Sequence, residues 1–306
     1  MRDNFKFKDS DGKEINCYKW TGDFKPKAII YIVHGMTETA LRYDYVAERL
    51  VNEGYYVYSH DHRGHGFTDK EEENRGYIAD NEGFDWLVTD VKELIENTRK
   101  ENTGIEVVLF GHSMGSFVSQ RYLEMYGQEI DRVILSGTNG RQKSIAILGI
   151  MIAWVEMKIR GRKHKSKLMD KLIFGNFNDR FKPSRTEFDW VCANEKSVDE
   201  YISSPDCGFV CTTSFYYDLM RGTRAIHKNG ELAKIKKSTK LYIFAGDSDP
   251  VGEFGEGIKS LVKDLKANGV SDVSYKLYKD GRHEMLNDSN RDEVIDDMIN
   301  FLKTSN

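Results

Sequence analysis

The most informative stretch of the chain is Val107–Ser116, which reads Val-Val-Leu-Phe-Gly-His-Ser-Met-Gly-Ser. Apolar residues typical of a buried strand lead into a Gly-x-Ser-x-Gly motif, and a helical pattern follows over Met114–Tyr126. Glycine at both ends of the motif lets the chain reverse sharply without a clash at Cβ, so that the Ser113 side chain projects from the turn. This context predicts a nucleophile elbow, with Ser113 as the nucleophile, and not a plain strand-to-helix turn.

Strand and helix patterns alternate on both sides of this motif. The segments Phe5–Lys8 and Glu14–Trp20 predict an N-terminal hairpin. Six further apolar runs predict strands buried on both faces, at residues 28–33, 55–59, 105–110, 132–135, 241–245 and 273–278. Helical patterns occupy residues 43–52, 83–100, 114–126, 257–267 and 291–302. We therefore predict an α/β protein with a mostly parallel sheet of the eight-stranded type, covered by helices on both faces.

The alternation is interrupted between Asn139 and His227, where no convincing buried strand is present. We predict that residues 139–227 form a helical cap, or lid, inserted into an α/β core made of residues 1–138 and 228–306. The segment follows the end of one strand and precedes the next. We expect it to lie over the carboxyl ends of the strands, where open α/β sheets bind ligands.

Composition narrows the class of protein. The chain has 45 lysines and arginines against 49 aspartates and glutamates, a near balance that predicts no nucleic-acid partner. The N-terminus lacks the apolar core of a signal peptide, and the longest apolar window, Ile145–Met157, is shorter than the roughly 20 residues of a bilayer span. The four cysteines are too few and too scattered for a disulfide framework or a zinc site. We expect a cytoplasmic protein with reduced thiols, no metal and no other cofactor.

A serine nucleophile needs a histidine base within hydrogen-bond reach and a carboxylate that orients the base. After a nucleophile elbow these follow in the order acid, then histidine. His283 is the base by position, because it follows the strand at residues 273–278 while the other histidines precede Ser113, lie beside it or fall in the predicted cap. With His283 as base, we expect activity to fall in acid with an apparent pKa near or slightly below the roughly 6.5 of free histidine.

Two aspartates compete for the role of the acid, Asp247 and Asp249, both just after the strand at residues 241–245. We favour Asp249 because the following Pro250 holds its backbone extended, which suits a carboxylate that reaches toward the histidine. The alternative role for Asp247 is to cap the turn with its side chain.

Acyl transfer also needs two backbone N–H groups that bind the negative charge on the reacting oxygen. Met114 supplies one from the helix N-terminus. The second should come from the loop after the strand at residues 28–33, where Met36 is the candidate donor and His34 is expected to fix the loop. The predicted oxyanion hole is therefore formed by the N–H groups of Met36 and Met114.

Several loop sequences occur in a characteristic order along the chain. They are His34–Glu38, Arg42-Tyr43, His60–Gly66, Gly111–Gly115, Gly246-x-x-Asp249 and the strand-end His283. In this combination the chain resembles the monoacylglycerol lipase and lysophospholipase branch of the α/β-hydrolases, whose bacterial members are often labelled serine aminopeptidases. The resemblance covers roughly residues 28–302 except the cap. It implies the α/β-hydrolase fold, Asp249 as the triad acid, and a structural role for the loop that contains His62, Arg63 and His65.

The resemblance also implies an activity. The leading hypothesis is a serine carboxylic-ester hydrolase that cleaves monoacylglycerols, lysophospholipids or other single-chain acyl esters through an acyl-enzyme, with no obligate protein partner. One alternative is a cinnamoyl-type esterase, and another is a proline-type aminopeptidase whose cap supplies an acidic anchor such as Glu187, Glu195 or Glu200. A ligand-binding protein of the same fold with an idle triad is the alternative of another class.

The apolar segment at residues 144–157 is followed at once by a cationic run. Its members are Lys158, Arg160, Arg162, Lys163, Lys165, Lys167 and Lys171. The commoner arrangement for such a segment is a helix buried on the core with a solvated basic turn after it. The alternative is a partly exposed helix that receives an acyl chain and makes transient contact with anionic lipid surfaces.

Overall fold

The structure is a computed structural model that describes residues 1–141, 146–228 and 230–304. Within these residues the chain forms an eight-stranded sheet in the order β1-β2-β4-β3-β5-β6-β7-β8. The strands are β1 (Arg2–Lys8), β2 (Glu14–Trp20), β3 (Ala28–Val33), β4 (Tyr56–His60), β5 (Glu106–His112), β6 (Arg132–Ser136), β7 (Lys240–Gly246) and β8 (Val273–Tyr278). Antiparallel pairing joins β1 to β2 and β2 to β4, and every other neighbouring pair is parallel. The mostly parallel sheet predicted from the sequence is confirmed.

Helices cover both faces of this sheet. They are α1 (Asp44–Asn52), α2 (Gly83–Arg99), α3 (Met114–Tyr126), α4 (Ala146–Arg160), α5 (Lys167–Phe174), α6 (Glu195–Ser203), α7 (Thr213–Ala225), α8 (Glu256–Ala267) and α9 (Arg291–Lys303). Successive side chains of a strand point to opposite faces, so β3 contributes to two cores. Ile30 and Ile32 belong to a core cluster that includes residues of α1 and α9, whereas Ile29 and Tyr31 belong to one that includes residues of α2, α3 and α8. No helix in the described ranges is long and apolar enough to cross a membrane.

The prediction of strands buried on both faces is wrong for β8. It is the last strand in the order of the sheet, and Ser274 and Tyr275 are exposed. An edge strand pairs on one side only, so a run that looks apolar in sequence is half solvated there.

The described residues between β6 and β7 form α4–α7 and contain no strand of this sheet, in keeping with the interrupted alternation in the sequence. An isolated β-bridge joins Lys165 and Thr212. Residues 144 and 145, the first two of the predicted apolar segment, lie outside the described residues. The division into a core and a cap at residues 139–227 stays a prediction.

A buried arginine fixes the loop after β4. The Arg63 side chain is 2% exposed and forms ion pairs with Asp9, with Asp11 at 2.7 Å and with Asp90 at 2.8 Å. Its guanidinium lies 4.4 Å from the ring centroid of Trp86. Arg63 therefore joins the N-terminal hairpin, the β4 loop and α2, which is the structural role expected of this loop.

We predict that Arg63→Ala lowers the free energy of unfolding by about 3–5 kcal/mol, because it leaves the buried carboxylates of Asp9 and Asp90 without a charged partner. Arg99→Ala is the control, since the Arg99–Glu129 pair is 36% and 71% exposed and should contribute at most about 1 kcal/mol. Urea unfolding followed by circular dichroism measures both values. Equal losses in the two variants would contradict a special role for Arg63.

Candidate active site

The turn between β5 and α3 has the geometry of an elbow. Ser113 has φ 51° and ψ −121°, a positive φ that non-glycine residues adopt rarely. A Cβ at Gly115 would lie 2.0 Å from the Val33 carbonyl oxygen, and one at Gly111 would lie 2.4 Å from the Gly115 carbonyl oxygen. The close approach of α3 to the neighbouring backbone therefore requires glycine on both sides of Ser113.

His283 and Asp249 meet because they follow neighbouring parallel strands, β8 and β7. The Nδ1 atom of His283 lies 3.0 Å from each carboxylate oxygen of Asp249. Asp249 is fully buried and also accepts a hydrogen bond of 2.9 Å from the N–H of Val251. With Nδ1–H directed at the carboxylate, Nε2 of His283 is the ring atom that remains to accept a proton.

The competing aspartate has a different set of partners. Asp247 accepts hydrogen bonds from the N–H of Asp280 at 2.9 Å and from the Ser248 hydroxyl at 3.1 Å. It thus caps the turns at the ends of β7 and β8. The structure brings Asp249 to His283, and Asp247 serves the turn-capping role that was its alternative.

The environment of His283 raises its pKa. Burial lowers the pKa of this imidazole. The charge and the hydrogen bond of Asp249 raise it, and with the charges of Glu284 and Glu38 they outweigh burial, so that the pKa is raised from the ordinary 6.5. The rings of His112 and Trp190 lie 4.8 and 5.3 Å from that of His283, centroid to centroid. This corrects the sequence-based expectation of a value near or slightly below 6.5, since the sequence does not reveal how closely the carboxylate approaches the ring.

The loop after β3 packs directly against the elbow. An ideal Cβ at Gly35 would lie 3.2 Å from Cβ of Ser113, so the loop backbone touches the serine. Met36 and Met114 line the same cavity as Ser113. The two segments from which the oxyanion donors were predicted are therefore adjacent at Ser113.

Buried histidines hold this loop in place. The N–H of His62 donates to Nε2 of His34 at 2.9 Å, and the N–H of Thr37 donates to Nε2 of His65 at 3.0 Å. Burial lowers the pKa of His34 and His62 well below 6.5, and that of His65 to about 4. All three rings are neutral near pH 7, and the contacts show the structural role expected of them.

A cavity of about 1060 Å³ opens at Ser113 and His283. Its far wall comes from α4, α5 and α7 and is mainly apolar, with Leu148, Ile152, Met169, Ile173, Leu219 and Met220. Glu187, exposed, also lines it, whereas Glu195 and Glu200 are not among its lining residues. The shape and lining suit a substrate with one long apolar chain.

Sequence reasoning missed two groups next to the histidine. Trp190 comes from a segment without a strand or helix pattern, and nothing in the sequence indicates its contact with the His283 ring. Arg42 binds both carboxylate oxygens of Glu284, at 2.5 and 2.7 Å, and Glu38 at 3.2 Å. Glu38 and Arg42 lie within the recognised loop sequences, but Glu284, the second carboxylate that Arg42 binds, is 242 residues away from Arg42.

Comparison with known proteins places this arrangement among its relatives. The sequence profile of the family described as "Serine aminopeptidase, S33" matches residues 24–290. The chain is 34% identical to human monoglyceride lipase over 110 residues, 36% of this chain and 34% of that protein, so the match spans about a third of the human relative. It is 24% identical to the monoacylglycerol lipase of Mycolicibacterium smegmatis over 304 residues, covering 98% of this chain and 97% of the relative.

A solved structure extends the comparison to the whole fold. The thermostable carboxyl esterase from Bacillus coagulans in complex with glycerol superposes with a TM-score of 0.90 and is 27% identical, covering 99% of this chain and 98% of that one. The fold is thus the predicted α/β-hydrolase fold. The chain belongs to the serine aminopeptidase S33 family of α/β-hydrolases, in its monoacylglycerol lipase and lysophospholipase-like branch.

Proposed function

We propose that this protein is a serine ester hydrolase that cleaves monoacylglycerols, lysophospholipids or similar single-chain acyl esters. The observation that carries the proposal is the His283–Asp249 pair, at 3.0 Å, with His283 lining the same mainly apolar cavity as Ser113. Relatives named monoglyceride lipase and probable lysophospholipase support the choice of substrate class.

The reaction would proceed in two steps. Ser113 Oγ attacks the ester carbonyl while Nε2 of His283 accepts the hydroxyl proton, and Asp249 stabilises the imidazolium that forms. The N–H groups of Met36 and Met114 bind the charge on the carbonyl oxygen. His283 then returns the proton to the departing alcohol, which leaves an acyl-enzyme at Ser113. Water activated by the same histidine releases the fatty acid.

A proline-type aminopeptidase is the second candidate. One observation favours it: of the three acidic residues considered as anchors for a free amino group, only Glu187 lies among the cavity-lining residues of the described chain. A panel of monoacylglycerols, lysophospholipids, cinnamoyl esters and aminoacyl amides separates the candidates. Release of fatty acid from the first two classes, without cleavage of amides, supports the lipase.

We predict that Ser113→Ala lowers kcat by about 10³-fold or more and abolishes labelling by a fluorophosphonate probe, because the variant lacks the nucleophile and keeps the fold. Turnover of p-nitrophenyl butyrate and the melting temperature are measured together. A variant that retains more than a few per cent of kcat with unchanged melting would show that the nucleophile is another residue.

We predict that Asp249→Asn is far more damaging to kcat than Asp247→Asn, by on the order of 10³-fold or more, because an amide cannot stabilise the imidazolium and favours the wrong tautomer. The two substitutions are matched, since each replaces one aspartate at the end of β7 with its isosteric amide. The reverse order of the two kcat values would assign the acid to Asp247.

The surface around the cavity mouth supports a lipid-borne substrate. One face of α4 and its continuation on α5 are exposed, in contrast to the buried helix that was the commoner expectation. Its apolar residues are Ile147, Leu148, Met151, Trp154, Val155, Ile159, Leu168 and Leu172. Leu148 and Leu172 also line the cavity, so the apolar surface continues into the site.

Five of the seven cations of this region form two groups. Arg162 lies 3.7 Å from Asp218, and Lys163 donates to the Asn74 side chain at 3.1 Å. Lys165 donates to the Arg75 carbonyl oxygen. These three cations therefore attach the segment to the rest of the molecule. Lys158 and Lys167, by contrast, form no ion pair within the described residues, and both are exposed beside the apolar face. We infer that α4 and α5 rest on anionic lipid through this second group.

We predict that the double substitution Lys158→Gln and Lys167→Gln weakens binding to phosphatidylglycerol vesicles at low salt by on the order of thirtyfold, since each cation near such a surface contributes about 1 kcal/mol. Hydrolysis of a soluble short-chain ester should be unchanged. Lys263→Gln with Lys266→Gln, both exposed on α8, is the matched control. Equal sedimentation of both double variants with the vesicles would refute lipid contact through α4 and α5.

A further inference from the structure

A buried charge cluster lies beside the proposed triad. Arg42, in a 3₁₀-helix over Ala40–Tyr43, binds Glu284 through two parallel hydrogen bonds and Glu38 through a third. The two glutamates are 6% and 3% exposed, and the arginine side chain is 16% exposed. Two nearly buried carboxylates therefore share a single guanidinium.

The Glu38 end of the cluster controls the loop after β3. The second oxygen of Glu38 accepts hydrogen bonds from the N–H of Gly35 and, at 2.8 Å, from the Tyr43 hydroxyl. Gly35 immediately precedes Met36, the proposed oxyanion donor. The orientation of that peptide therefore depends on a carboxylate that Arg42 holds.

The Glu284 end of the cluster controls the loop after β8. Glu284 follows His283 directly, and its N–H donates to the Val191 carbonyl oxygen at 2.7 Å. Its carboxylate also accepts a hydrogen bond of 2.9 Å from the Asn287 side chain. The two parallel hydrogen bonds from Arg42 add a further contact to this carboxylate. They connect the backbone next to His283 to the loop after β3.

We propose, on the basis of the proposed hydrolase function, that Arg42 is a positioning residue. Through Glu38 and Glu284 it holds the loop of the oxyanion donor Met36 and the loop of the base His283 at a fixed separation, and its charge offsets theirs beside the imidazole.

Charge balance around the base gives this role a measurable signature. The charged and titratable groups around His283 are Asp249, Glu284, Glu38, Arg42 and His112. Burial keeps the pKa of His112 well below 6.5, so that ring is neutral. Glu284 and Glu38 both raise the pKa of His283, and loss of the guanidinium would leave them unopposed. When the pKa of His283 is higher, its ring becomes protonated at a higher pH. The fall of activity on the acid side of the pH profile, called the acid limb here, then also lies at higher pH.

Arg42→Met tests the position and the charge together. We expect kcat to fall by about ten- to a hundredfold, since loss of one oxyanion donor costs about 10²–10³ in rate and here the donor is displaced, not deleted. KM for a soluble short-chain ester should stay within about twofold. The acid limb of kcat/KM should lie at higher pH than in the wild-type protein, whose own limb should lie above 6.5.

Two further variants separate charge from geometry. Arg42→Lys keeps the charge but cannot bind both oxygens of Glu284 in a planar fork, so it should keep the wild-type acid limb and recover only part of kcat. Glu284→Gln preserves shape and removes a negative charge, so its acid limb should move to lower pH. This variant also provides the test if Arg42→Met does not fold.

Identical acid limbs in all four proteins, or shifts in the same direction for Arg42→Met and Glu284→Gln, would overturn the inference. If Arg42 had a purely structural role, the acid limbs of Arg42→Met and Glu284→Gln would not move in opposite directions. Fluorophosphonate labelling at Ser113 of the wild-type chain is measured alongside, because absence of that label marks a failure of the proposed function and not of the role of Arg42.

Discussion

The approach of α3 to the end of β3 is the contact on which the rest of the site depends. At Gly115 the helix backbone comes so near to the strand that a Cβ would lie 2.0 Å from the Val33 carbonyl oxygen and 2.5 Å from that of His34. This contact sets the serine against the loop after β3, and Ser113 itself adopts a positive φ in the turn. Backbone strain of this kind persists only where packing on both sides determines it, and here β5 and α3 provide that packing.

Four of the eight histidines show how the environment of a ring decides whether it has a structural role or the proposed role of a base. His34, His62 and His65 are buried with neutral hydrogen-bond partners, and burial keeps their pKa values low, so they serve as fixed donors and acceptors. His283 is equally buried but faces a carboxylate, and its pKa moves in the opposite direction. A nearby charge, not burial, distinguishes the proposed base from the structural rings in this protein.

Much of the fold and of the candidate site could be predicted because its signals are local. The limits of β2, β3, β8 and α3 agree with the sequence patterns, since turn residues and apolar periodicity mark them directly. His283 and Asp249 were identifiable because each follows a strand end. The edge position of β8 and the sharing of Arg42 by Glu38 and Glu284 depend on the order of strands in the sheet, which no window of sequence contains. The same is true of the Trp190 contact.

The exposed apolar face of α4 and α5 also bears on how kinetic data from this enzyme should be interpreted. Because that face continues into the cavity, detergent monomers and micelles would compete with substrate for the same surface. Rates measured on emulsified long-chain esters would then depend on the area of the lipid–water interface and on dilution of substrate within it, as well as on bulk concentration. Only small water-soluble esters would report the chemistry of the active site free of adsorption.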